Sequence, residues 1–163
     1  MTSRQSPTIL LPMRVTTWTE YSLIISLHLA RRHREGLGSV AARELSEAER
    51  LPADYAEQIL LRLRRSGVVE STRGAKGGYR LAKDPAEINV HSVMTAAEHQ
   101  TFELNCTTHA VNAAQCAPGA SCSIRPMWTA LQQRIDSFLQ GVTLADLLHD
   151  EAQVQQLVAR DPS

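Results

Sequence analysis

The chain has 163 residues, with 17 Lys and Arg against 17 Asp and Glu, so its formal net charge is zero. Any affinity for nucleic acid must therefore come from a local patch and not from the global field. Hydrophobic residues make up 43% and charged residues 21%, the balance of a globular chain long enough to bury a core. No run of about eighteen apolar residues is present, which excludes a membrane-spanning helix.

The opening MTSRQSPTILLP lacks the long apolar core and small-residue cleavage site of a secretory signal. Residues 1–12 are expected to form a disordered leader, with Met13 as an alternative start. From Thr16 to Arg32, apolar residues at Tyr21, Ile24, Ile25, Leu27 and Leu29 predict a mostly buried helix capped by Thr16 or Thr17. Gly36 to Ser39 supplies the turn that ends it. A short helix over about Val40 to Glu49 follows, then a turn at Leu51 to Asp54 with Pro52 near a helix start. The third helix, Asp54 to Ser66, places Tyr55, Ile59, Leu60 and Leu63 on one face and Arg62, Arg64 and Arg65 toward the other.

VVEST and YRLAK read as two short strands around Arg73-Gly74-Ala75-Lys76-Gly77-Gly78, a hairpin whose glycines permit positive φ. A fourth helix is expected over Ile88 to Glu98. Helices followed by a Gly-rich hairpin is the order of a winged helix-turn-helix, so the predicted fold is mainly α with a small β-hairpin wing. Between Asp54 and Lys83 there are seven basic residues and three acids. That local excess suits a helix in the major groove and a basic hairpin against phosphate or the minor groove.

All three cysteines fall within seventeen residues, at Cys106, Cys116 and Cys122, in a polar loop. An odd count with no secretory signal argues against a disulfide framework and for a reducing cytoplasm. Three thiols on one loop can hold a soft metal, act in redox chemistry or be structural. No C-x-x-C pair is present, which weakens a zinc reading. Behind the loop, Arg125 to Gln140 is predicted as one amphipathic helix, with Met127, Trp128, Leu131, Ile135, Phe138 and Leu139 as its apolar stripe. The stripe either folds back on its own domain or covers a partner. No Ser/His/Asp set, phosphate-cradling loop or metal-binding His pair is present, so an enzyme is not expected. The chain divides into the leader, a winged helix-turn-helix domain at 13–99, a cysteine loop at 100–124, a long helix with a short C-terminal helix at 125–150, and a tail at 151–163.

The run PADYAEQILLRLRRSGVVESTRGAKGGYRLAKDPAEINVHSVMTAAE resembles the DNA-binding half of the IscR/NsrR/RirA family of iron–sulfur transcriptional regulators. The entry MRVTTWTEYSL, the cysteine loop, the helix behind it and the ending VTLADL are similar as well, from about Met13 to Leu148. The resemblance implies a homodimeric, cytoplasmic transcriptional repressor that binds a palindromic operator in double-stranded DNA. In it Tyr55, Glu57 and Gln58 open the recognition helix and Arg62 extends its basic face. Arg73 and Lys76 at the hairpin tip meet the minor groove or phosphate. Lys76 departs from the family's common Pro-Gly-Gly-Gly tip.

The resemblance also implies a [2Fe-2S] or [4Fe-4S] cluster on Cys106, Cys116 and Cys122, responding to iron supply, nitric oxide or redox state. Nine residues separate the first two cysteines, longer than usual for the family, and five separate the second pair, its usual spacing. In the IscR branch a His follows the last Cys by three; here that position is Arg125, which cannot ligate. Another family route to the fourth ligand is a carboxylate from the partner's first helix, and Glu20, in Thr19-Glu20-Tyr21, matches it. His99 and His109 are weaker candidates. The family pairs the long helix with its twin, through Met127, Trp128, Leu131, Ile135 and Phe138. The competing reading is a cluster-free winged-helix regulator whose cysteines form a thiol switch or a zinc site.

Overall fold

The computed structural model describes residues 15–74, 77–98, 116 and 121–159. Helix α1 spans Thr17–Arg34, and its N-terminus is closed by Thr16, whose side chain accepts from the Thr19 amide at 3.3 Å. Helices α2 (Ala42–Ala48) and α3 (Ala53–Arg65) follow as a helix-turn-helix pair. Strands β1 (Val69–Thr72) and β2 (Gly78–Leu81) pair antiparallel, with Val69 opposite Leu81 and Glu70 opposite Arg80. Val40 adds a bridge to Tyr79 through two backbone hydrogen bonds of 3.0 and 2.8 Å, which docks the hairpin onto the α1–α2 connection.

That docking explains the glycine pair. A Cβ on Gly78 would lie 2.3 Å from the Val40 carbonyl oxygen, and one on Gly77 would lie 2.5 Å from the Thr72 carbonyl oxygen. The two glycines are required by close backbone approach as much as by the turn itself.

Helix α4 covers Val90–Glu98, α5 covers Ile124–Gly141 and α6 covers Glu151–Ala159. The core lies among α1, α2, α3, β1 and α4, where Ile25, Leu29, Leu45, Ile59, Leu60, Leu63 and Val93 are fully buried. Apolar residues at helical spacing in three helices meet there, as the periodicity predicts.

Two features depart from the expected organisation. After α5 the chain returns to the winged-helix domain: the Val90 amide donates to the Val142 carbonyl and the Leu144 amide to the Ile88 carbonyl, both at 2.8 Å. Leu144 is completely buried in the core, so residues 142–148 belong to the first domain's packing and do not extend the long helix's own unit. The expected tail contains α6. Its start is a reciprocal cap in which the Gln153 amide donates to Asp150 Oδ1 at 2.9 Å and the Asp150 amide to Gln153 Oε1 at 3.3 Å.

Candidate DNA interface and cysteine site

Helix α3 shows two faces. Ala56, Ile59, Leu60 and Leu63 are buried, whereas Asp54, Glu57, Gln58, Arg64 and Arg65 are exposed. Glu57 and Gln58 thus stand on the solvent side of the helix's first half, free to meet base edges. Tyr55, expected on the core face, is 38% exposed. Its ring packs on Trp18 with centroids 4.9 Å apart and meets Tyr21 edge-on at 5.9 Å. The aromatic trio anchors the start of α3 to α1.

Arg62 does not join the exposed basic face. Its guanidinium lies 4.3 Å over the Trp18 ring and donates to the Ala97 carbonyl near the end of α4. A planar cation stacked on indole and bonded to an α4 carbonyl serves as a clamp between helices. Arg80 is also engaged, forming a 2.6 Å ion pair with its cross-strand partner Glu70. Among the described residues, Arg64, Arg65 and Arg73 are also exposed on α3 and the hairpin, Arg64 donating to Ser71 at 3.4 Å, and Lys83 is exposed just after β2. Arg73 sits at the hairpin's turn, next to Gly74 at φ 112°. Lys76 lies outside the described residues.

Two contributions were not read from the sequence. Trp18 is the platform on which Tyr55 and Arg62 both rest, and their spacing of seven on α3 is the signal that one face of α3 meets one indole. The other is Arg50, in the turn before α3, which is the sole non-glycine residue with positive φ among the described residues.

Cys122 lies just before α5, and Cys116 precedes it in the loop; both are free, half-buried thiols. Hydrogen bonds from the backbone amides of Arg125 and then Ile124 hold the Cys122 thiol below the usual thiol range, and the Arg125 charge acts in the same direction. Those amides lie in the first turn of α5 and have no carbonyl partner within the helix, a setting that favours the thiolate, the form that ligates metal or attacks a disulfide. Arg125, which cannot ligate, instead stabilises its neighbour's anion.

Glu20 is exposed in the first turn of α1. Its neighbour Thr19 donates to Glu98 Oε2 at 3.3 Å, tying the start of α1 to the end of α4. No group of three or more His, Cys, Asp or Glu that could hold a metal is gathered among the described residues. Cys106, His99 and His109 lie outside them.

On α5, no residue is buried. Ile124, Met127 and Phe138 are 56%, 53% and 40% exposed, and Trp128, Leu131 and Ile135 are half-covered. The helix is held to the domain at one flank, where His91 Nε2 on α4 lies 3.6 Å from Asp136 Oδ1. No helix among the described residues is long and apolar enough to cross a membrane.

A helix-turn-helix with an exposed, polar second helix and a docked basic hairpin defines a winged-helix DNA-binding regulator of transcription. The family model for Rrf2, described as an iron-dependent transcriptional regulator, matches residues 15–150. The chain is 34% identical over 139 residues to the HTH-type transcriptional regulator IscR of Serratia proteamaculans, covering 85% of this chain and 81% of that protein. The corresponding IscR of Yersinia enterocolitica matches with the same identity and coverage. Among solved structures, T. potens IscR superposes with a TM-score of 0.66 at 29% identity, over 87% of this chain and 92% of that one. CymR of B. subtilis, the global cysteine regulator, superposes with a TM-score of 0.63 at 27% identity, over 85% and 99%. This chain belongs to the Rrf2 family of transcriptional regulators and, like those relatives, is not an enzyme.

Proposed function

We propose that the chain is a homodimeric repressor whose affinity for a palindromic operator is set by an iron–sulfur cluster on its cysteine segment. Cys106, Cys116 and Cys122 hold the cluster, with Glu20 of the partner subunit as fourth ligand. Two copies of α3 present Glu57 and Gln58 to successive major grooves, and Arg73 and Lys76 grip the flanking minor groove or phosphates. Arg62 is left out of this set, because it faces Trp18 and Ala97.

The observation that carries the proposal is the placement of Cys122 against the first-turn amides of a helix none of whose described residues is buried. The donor chemistry fits a soft metal centre, and the family model's description as iron-dependent agrees with it. When bound, an iron–sulfur cluster supplies a centre that oxygen, nitric oxide or iron shortage can dismantle. The chain's own residues supply the link to DNA. Cys122 lies just before α5, Ala97 lies at the end of α4, and Arg62 joins its carbonyl to Trp18 and so to Tyr55 at the head of α3.

A second reading is a cluster-free thiol switch. The free thiols at Cys116 and Cys122 support it, as does likeness to CymR, one of whose Staphylococcus aureus structures is an oxidised form with a TM-score of 0.63 at 25% identity. Anaerobic purification separates the two. The cluster reading expects coloured protein carrying iron and sulfide in equal amounts, and their loss in Cys106→Ala, Cys116→Ala or Cys122→Ala with helix content kept. Colourless protein whose operator binding responds to thiol oxidation alone would establish the second reading instead.

A further inference from the structure

Arg50 ends the turn after α2 in the left-handed region, at φ 54°. The local hydrogen bonds explain why the backbone turns there: the Leu51 amide donates to the Ser46 carbonyl at 2.9 Å and the Arg50 amide to the Glu47 carbonyl at 3.3 Å. This is a helix-ending motif in which glycine is the favoured residue, since a side chain in the left-handed region costs stability. Arg at this position is therefore not selected by the backbone.

Nor is it explained by a partner inside the domain. Arg50 is exposed, and its guanidinium makes no hydrogen bond or ion pair among the described residues. The acids flanking it are committed elsewhere. Glu49 pairs with His28 at 2.7 Å and faces Arg31 at 4.0 Å, and Glu47 pairs with Arg43 at 2.8 Å. The result is an unneutralised, always-protonated cation three residues ahead of Ala53, where α3 begins. A strained residue with no structural partner, beside the element that reads the ligand, is the pattern of a side chain kept for binding.

We propose that Arg50 is a phosphate clamp: from the turn of the helix-turn-helix it binds the DNA backbone at the edge of the groove that α3 enters, and so fixes the depth and register of Glu57 and Gln58. Arg suits this work because its planar fork can hold two phosphate oxygens at once. The proposal rests on α3 being the groove-entering helix, and the test separates the two.

The probes are a duplex of about 30 base pairs, selected from a random pool by the wild-type protein, and a scrambled duplex of the same length. Kd is measured across a salt series for the wild type and for Arg50→Gly, Arg50→Gln, Arg50→Lys and Gln58→Ala. Arg50→Gly is expected to bind about tenfold more weakly and to lower the salt slope by about 0.9 for each Arg50 engaged. Its Tm should nevertheless rise by about 2–4 °C, because glycine relieves the backbone. Arg50→Gln should reproduce the binding loss without the gain in Tm, and Arg50→Lys should keep most of the slope. Opposite signs in stability and affinity are what a merely structural arginine would not produce. An unchanged slope in both Arg50→Gly and Arg50→Gln, with Gln58→Ala still altering preference for the selected duplex, would overturn the clamp and leave α3 as the reader. An unchanged preference in Gln58→Ala, together with unchanged slopes, would overturn the docking of α3 itself.

Discussion

Helices α1 and α5 are both 18 residues long, yet they are finished in opposite ways. Helix α1 buries Thr19, Ser22, Ile25, Ser26, Leu29 and Ala30 within its own chain, while α5 buries nothing. A lone helix of this length gains little from propensity, so its stability must come from a covered face. For α1 that cover is α3, α4 and the hairpin. For α5 the described residues supply the flank at His91 and the return of Val142 and Leu144 into the core. The contrast separates a winged-helix domain that covers its own helices from a helix whose covering, on the function proposed above, comes from a second copy. The cysteine segment lies between the two, immediately before α5.

The largest effect that can break the comparison is in the shared core. Leu63→Ala empties a fully buried site under α1 and α3, and a loss of about 2–5 kcal/mol in urea unfolding is expected, independent of protein concentration. The paired change Met127→Ser and Phe138→Ser should leave that unfolding free energy nearly unchanged at high dilution. It should weaken self-association by about 3 kcal/mol or more, read by sedimentation velocity. Equal association constants for the wild type and this variant would show that α5 is covered some other way.

Gly78→Ala probes the docking of the hairpin on the α1–α2 connection. A Cβ 2.3 Å from a backbone carbonyl should cost about 1–3 kcal/mol and loosen the wing, seen as faster amide exchange at Val40 and Tyr79. The smallest expected change is Arg62→Gln, at about 1–2 kcal/mol through loss of the Trp18 stack and the Ala97 bond. Its salt slope on DNA should equal that of the wild type, because Arg62 points into the domain. A slope lower by about 0.9 would return Arg62 to the DNA face.

Much of this contrast was legible in the residues. Apolar spacing located α1, α3 and α5, and Gly77-Gly78 between two alternating runs located the hairpin. The apolar stripe on α5 is legible from Met127, Leu131, Ile135 and Phe138, although the stripe alone leaves open what covers it. Other features escaped because they depend on contacts between distant segments. A row of arginines on α3 does not reveal that Arg62 turns onto Trp18, since a long side chain can reach either face. The burial of Leu144 depends on a bridge between Asn89 and Thr143, 54 residues apart in the sequence. Helix α6 could have been found from Asp150 and Gln153, whose spacing is that of a reciprocal cap. Arg50 was invisible because composition carries no φ.

The most direct test of the whole account is one titration done twice. The anaerobically purified, cluster-loaded protein is titrated onto the selected duplex, and the same sample is titrated again after the iron is chelated under reducing conditions. Kd is expected to change by about tenfold or more between the two states, the size of an ordinary coupling between sites. Equal Kd values, with iron and sulfide shown to be present before and absent after, would contradict control of DNA binding by the cysteine segment's cluster.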